Sequence, residues 1–196
     1  MIITLAILVM FLSTSSSANN NNTELSPDFY SKSCPNLLNI VRKVVRDAIF
    51  KEARTATSLL RLHLHDCFFT GCDASILLDD TSSYQGEKGA LPNRNSRTIG
   101  FEAVDEIKDA VEIECPSVVS CADILAIAAR DTVVLKGGPD WKVRLGRRDA
   151  TTASQDEIPF STWTLNISRF NAIGISTKDV VALFGLFLIS QKKKNK

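Results

Sequence analysis

The fifteen residues from Arg61 to Ser75 constrain this chain more than any other stretch: Arg61-Leu62-His63-Leu64-His65-Asp66-Cys67-Phe68, then Thr70-Gly71-Cys72-Asp73-Ala74-Ser75. They hold both histidines of the protein and set them beside an arginine, two aspartates and two of the five cysteines. The approach from Thr55 to Leu64 is rich in Ala and Leu and free of Gly and Pro, which predicts a helix. On a helix Arg61 and His65 share a face, while His63 is turned away from His65 by roughly 200°. An imidazole that exchanges a proton near neutral pH, next to an always-charged guanidinium, can move a proton and stabilise negative charge developing on oxygen. The competing reading of the pair is a surface arginine beside a satisfied histidine.

Downstream, Cys67 and Cys72 enclose four residues, so a disulfide between them would pin a tight loop carrying Gly71. Asp66, Asp73 and Ser75 flank that loop and Glu87 follows, a set of hard carboxylate and hydroxyl oxygens of the kind Ca²⁺ takes. The alternative is a solvated acidic turn. A zinc cluster at His63-x-His65-Asp66 would need a strand here and further histidines, which the sequence lacks.

The same segment resembles the distal haem segment of the secretory plant haem peroxidases of class III. Further blocks match in that family's order: Phe29-Tyr30 with Ser33-Cys34-Pro35, Gly86-Glu87-Lys88, Pro92-Asn93, Val119-Ser120-Cys121-Ala122-Asp123, Gly137-Gly138-Pro139-Asp140-Trp141 and Leu145-Gly146-Arg147-Arg148-Asp149. The resemblance covers nearly all of the chain after its leader and implies an all-α, haem-peroxidase-like helical domain of which this sequence carries the distal half. It implies heme b and Ca²⁺ as cofactors, and hydrogen peroxide with small phenolic reductants as partners. By that resemblance His65 is the base that takes a proton from peroxide and returns it to the leaving oxygen. Arg61 stabilises the charge that develops, and Asn93 orients His65 through its other ring nitrogen. Asp66, Phe69, Gly71, Asp73, Ser75 and Glu87 would bind Ca²⁺, with Phe69 and Gly71 offering backbone oxygen. Cys34 would pair with Cys115 and Cys67 with Cys72. Cys121 is left unpaired, because its family partner would lie beyond Lys196.

Two departures matter. The family's proximal iron ligand is a histidine in Ser-Gly-x-His, on the helix that follows the Ser176/Asp179 capping-box spacing. Val181-Ala182-Leu183 matches that helix, but Phe187 occupies the histidine position. Phenylalanine has no lone pair for iron, so peroxidase activity is expected to be impaired. The alternative is a non-catalytic fragment that retains the calcium loop. The loop between Ala153 and Pro159 is also short, and the substrate-edge proline falls at Pro159.

The rest of the chain organises around this segment. Met1 to Leu12 is an apolar run followed by Ser16-Ser17-Ala18, so residues 1–18 read as a secretory signal peptide. The run is too short to span a bilayer. Residues 19–24 read as a disordered tip, 25–191 as a partial plant peroxidase domain and 192–196 as a basic tail. Secretion to the extracellular space or cell wall agrees with five cysteines, and Asn21 and Asn166 then stand in glycosylation sequons. A formal charge of +1 points to no nucleic acid partner, and the protein is expected to be a monomer. Apolar periodicity predicts helices over Asn36–Ala53, from Phe101 to Val111 and from about Ser120 to Leu135, the last stopped by Gly137-Gly138-Pro139. Trp141 to Ala153 reads as loop, followed by short helices after Pro159. The apolar run from Val180 to Ile189 with its lysines admits a tail anchor or an amphipathic surface helix. A core stripe whose partner helices are absent fits it better.

Overall fold

The computed structural model describes residues 24–69, 71–82, 85–90, 93 and 99–153. The leader, Pro159, Phe187, the helices expected after Pro159 and the basic tail lie outside them. Within the described residues the architecture is all-α: four α-helices, two single-turn 3-10 segments (Ser75–Leu77 and Glu87–Gly89) and one isolated antiparallel bridge, Ser26 to Leu145.

Helix α1, Leu37–Lys51, turns Leu37, Val41, Val45 and Ala48 inward, the three- and four-residue stripe the sequence predicts. Helix α2 runs from Thr55 to Phe69. It extends beyond the Ala- and Leu-rich approach, so the whole Arg61–Cys67 motif is helical. Helix α3, Ile99–Glu114, buries Phe101, Val104, Ile107 and Val111. Helix α4, Cys121–Leu135, is buried at every position from Ala122 to Val133, as a helix at the centre of a core must be. Both α1 and α2 pack against α3 and α4. Leu59, Leu62, Ile107, Ile124, Leu125 and Ile127 fill the space between them at no more than 1% exposure, each contributing roughly 1.5–3 kcal/mol of burial.

The ends of α4 show why it starts and stops where it does. Ser120 Oγ accepts from the Asp123 amide at 3.2 Å, and the Asp149 carboxylate accepts from the amides of Cys121 and Ala122, both at 2.9 Å. Those bonds satisfy donors that have no intrahelical partner, and they place negative charge at the positive end of the helix dipole. At the other end the Gly138 amide reaches Val133 O at 2.9 Å and the Gly137 amide reaches Val134 O at 3.0 Å. This is a Schellman turn, which needs the left-handed φ of 81° that Gly137 supplies.

Two disulfides cross-link the fold. Cys34–Cys115 ties the entry of α1 to the end of α3 across 81 residues, and Cys67–Cys72 closes the loop at the end of α2. Cys121 carries a free thiol.

Candidate active site

Arg61 and His65 lie one turn apart on α2. His65 is 4% exposed, and its Nδ1 shares a short hydrogen bond with Asn93 Oδ1. The partner that decides the chemistry is one step further out: Asn93 Nδ2 donates to the backbone oxygen of Glu87 at 2.9 Å. A carbonyl only accepts, so the amide nitrogen of Asn93 faces Glu87 and its oxygen faces the imidazole. That oxygen also only accepts. The network therefore assigns the proton of His65 to Nδ1 and the lone pair to Nε2. Burial pushes His65 down to about 4, against the Asn93 hydrogen bond and with help from the charge of Arg61. The imidazole is thus neutral at pH 7. Arg61 is half-buried, and burial pulls its pKa down as well, but a guanidinium keeps its charge. The pair is a neutral base with its lone pair on Nε2, and a fixed positive charge on the same helix face.

The end of α2 leads into the acidic loop. Gly71 has a φ of 129° between the two bridged cysteines, a conformation that L side chains resist. The Ala74 amide donates to Asp66 Oδ2 at 3.1 Å and the Ser75 amide to Asp73 Oδ1 at 3.1 Å, while Ala150 N holds the backbone oxygen of Asp73 at 2.7 Å. Asp66, Ser75 and Glu87 are all buried. Burial raises the Asp66 carboxyl well above the usual range; the Ala74 and Ile76 amides oppose this, and the charges of Asp73 and Glu87 add to it. Asp66 Oδ1 has no hydrogen-bond partner among the described residues. A buried carboxylate oxygen left this way costs free energy unless a cation reaches it. Among the described residues no group of three or more His, Cys, Asp or Glu side chains could hold a metal ion by itself. A cation here would draw on Ser75 hydroxyl and backbone oxygen too, which is the hard, mixed oxygen set Ca²⁺ takes. Phe69 closes α2, where the last carbonyls have no intrahelical donor. The residues fit calcium.

Behind α2 lies a buried polar cluster that motif reading did not single out. Asp123 Oδ2 accepts from Tyr30 Oη at 2.9 Å and from the amides of Gly146 and Arg147 at 2.6 and 3.2 Å, and Asp123 Oδ1 meets Arg147 Nη1 at 3.0 Å. The available signal was an aspartate in the first turn of a helix that then runs apolar from Ile124 to Ala129, since a buried carboxylate there demands a cation. His63 abuts this side. It is fully buried, its ring nitrogens lie 3.7 and 3.9 Å from Cys67 Sγ, and burial with the charge of Arg147 pushes it down to about 3.

With this geometry in place, the comparisons agree with one another. The peroxidase family model matches residues 41–196. The chain belongs to the peroxidase family. It is 51% identical to peroxidase 4 of Vitis vinifera over 98% of its own length and 60% of that protein's. To peroxidase P7 of Brassica rapa it is 56% identical, over 87% of this chain and 59% of the relative, and to peroxidase N of Armoracia rusticana 55%, over 87% and 52%. This peroxidase-family chain therefore spans about 60% or less of the length of these curated relatives. Both disulfides fit an oxidising compartment, and no described helix is long and apolar enough to cross a membrane.

Plant peroxidases use haem and calcium as a family, and the two groups fare differently here. The acidic loop offers hard oxygens of the kind calcium takes. Haem held in the family's manner needs a proximal imidazole, and the histidines of this sequence are His63 and His65, both on α2. The residues present do not fit that mode of binding.

Proposed function

We propose that the chain carries the peroxide-handling half of a secreted plant haem peroxidase, which reduces hydrogen peroxide at the expense of small phenols. We further propose that its turnover is impaired because Phe187 stands at the proximal histidine position. What supports the reading is the relay from Glu87 O through Asn93 to His65, with Arg61 one turn back on the same face. In this arrangement Nε2 of His65 accepts the proton of hydrogen peroxide, the resulting imidazolium holds it, and the same atom returns it to the departing oxygen. Arg61 stabilises the negative charge that the departing oxygen carries before it is protonated. Asn93 keeps the Nδ1 proton in place so that Nε2 remains the acceptor. Bound haem would supply the electrons that peroxide takes up, and a phenol would restore them. Asp66, Asp73, Ser75 and Glu87, with backbone oxygen of Phe69 and Gly71, would hold Ca²⁺; Pro159 would stand at the edge where the phenol docks. The orphaned Asp66 Oδ1 also favours a second reading, in which the chain binds calcium without turning over.

Peroxide-dependent oxidation of a phenol by the hemin-loaded full chain, in calcium, tests this. The expected result is little turnover above that of free hemin in the chain as it stands. Phe187→His should raise turnover at least tenfold, and His65→Ala added to it should remove about 10²–10⁴ of that rate. Fast turnover with Phe187 in place, or no gain in Phe187→His, would overturn the impaired-peroxidase reading.

A further inference from the structure

Helices α1 and α3 lie side by side with opposite charge. Helix α1 bears four basic residues against Asp47, a net of +3, and α3 bears six carboxylates against Lys108, a net of −5. Both turn their apolar stripe inward, which leaves the charge on their outer faces. Residues three and four apart share a helix face. Asn39, Lys43, Arg46 and Phe50 make the exposed stripe of α1, and Glu102, Asp105, Asp109 and Ile113 that of α3. The two helices run antiparallel: Asn36 Nδ2 donates to Glu114 Oε1 at 3.2 Å where α1 starts and α3 ends, and Lys51 Nζ at the end of α1 lies 4.0 Å from Glu106 Oε1. Among the described residues Lys51–Glu106 is the one ion pair across the seam, since Arg46–Asp47 and Lys108–Glu112 each lie within one helix. Both stripes finish on an apolar side chain left in water. Phe50 is 94% exposed and Ile113 86%, the highest values for large hydrophobic residues among those described.

A stripe of cations beside a stripe of carboxylates is complementary to itself. A two-fold axis parallel to the helices sets the acidic α3 of a second copy over the basic α1 of the first, and its basic α1 over the first copy's acidic α3. An axis across the helices would set like charge on like, so the charge pattern selects the first arrangement. We propose that the outer faces of α1 and α3 together form a docking surface for a second copy of this chain, each helix lying on the oppositely charged helix of the other copy. Phe50 and Ile113 bury against the facing copy and supply its apolar contacts. Exposed ion pairs are individually weak and screened by salt, so the association is reversible and salt-sensitive. A monomer is expected from the sequence; the complementary stripes exist only once the fold sets α1 beside α3. Neither haem nor calcium enters this inference.

Sedimentation velocity of the full chain over a concentration series tests this, at about 0.01 M salt, where charges act over about 30 Å, and at about 1 M, where they act over about 3 Å. The expected result is a dimer at low salt that dissociates at high salt, with non-reducing electrophoresis showing no link through Cys121. Lys43→Glu with Arg46→Glu reverses the basic stripe, and Glu102→Lys with Asp105→Lys and Asp109→Lys reverses the acidic one. Each reversed variant alone should associate about tenfold or more weakly, and an equimolar mixture of the two should restore a dimer, because each stripe then meets its opposite. Phe50→Ser, which leaves every charge in place, should weaken the dimer by about tenfold. Circular dichroism reports whether the reversed variants are folded; should either not be, Phe50→Ser and the salt dependence are read in its place. A wild-type monomer at low salt overturns the inference, whether the outer faces stay bare or the lysine-rich end of the chain covers the acidic one. So does a dimer indifferent to salt, to the reversals or to Phe50→Ser, and so do folded reversed variants whose mixture stays monomeric.

Discussion

His63 and His65 stand two residues apart on one helix, yet their surroundings treat them as different chemical groups. His63 faces the interior between α2 and α4, walled by the Cys67–Cys72 disulfide and the Asp123–Arg147 pair. Its sulfur neighbour is a poor acceptor, so its neutrality is imposed by burial and neighbouring charge rather than by a strong partner. His65 faces an amide whose own orientation is locked by a backbone carbonyl. That carbonyl belongs to Glu87, whose side chain lies with the acidic loop, so one residue joins the candidate cation site to the tautomer of the candidate base. The contrast teaches that a buried histidine is recognised as reactive by the directionality of its partner, not by burial or a shifted pKa, since both histidines have those.

The largest effect expected on the closed side comes from its ion pair. Asp123→Ala leaves Arg147, which is 8% exposed, without its carboxylate and strips the acceptor from Tyr30 and Gly146. Urea unfolding should show a loss of roughly 3–5 kcal/mol. A loss under about 1 kcal/mol would mean that this side is not held by charge and that the contrast is misplaced.

Next is the acid limb. His63 has a folded pKa of about 3 against 6.5 when exposed, so below pH 6.5 the unfolded chain takes up a proton that the folded chain refuses. Stability present above pH 6.5 is therefore lost as the pH falls toward 3. Between pH 7 and 4.5 His63 alone should account for roughly 2.5 kcal/mol of it. His63→Gln should flatten the limb by that amount. Identical limbs in wild type and variant would show that His63 does not carry the pH dependence.

The smallest stability effect is expected at the other histidine. His65→Ala at neutral pH removes the hydrogen bond to Asn93, leaves that buried oxygen without it, and should cost about 1–3 kcal/mol. A cost as large as that of Asp123→Ala would make His65 structural and erase the distinction between the two faces.

Much of the fold was legible beforehand. The inward stripe of α1 follows from its three- and four-residue spacing, and the start of α4 at Ser120 and its stop at Gly137-Gly138 follow from capping chemistry that acts over a few residues. The juxtaposition of Arg61 with His65, and the turning away of His63, follow from helix geometry alone. The disulfides Cys34–Cys115 and Cys67–Cys72 are the pairs the family resemblance implied. The Tyr30–Asp123–Arg147 cluster was not anticipated, because its members come from three separate segments, with Tyr30 and Asp123 93 residues apart. Nor was the role of Glu87 O: its side chain suggested an ion ligand, while its backbone orients Asn93.

The sequence by itself determined the local matters: which stretches are helical, where α4 begins and ends, and which residues share a face, because backbone period and capping depend only on near neighbours. Only the tertiary structure decided which histidine became a buried packing element and which received a directed hydrogen bond. Burial, charge and tautomer are set by groups that arrive from distant parts of the chain, such as Arg147 against His63 and Asn93 against His65.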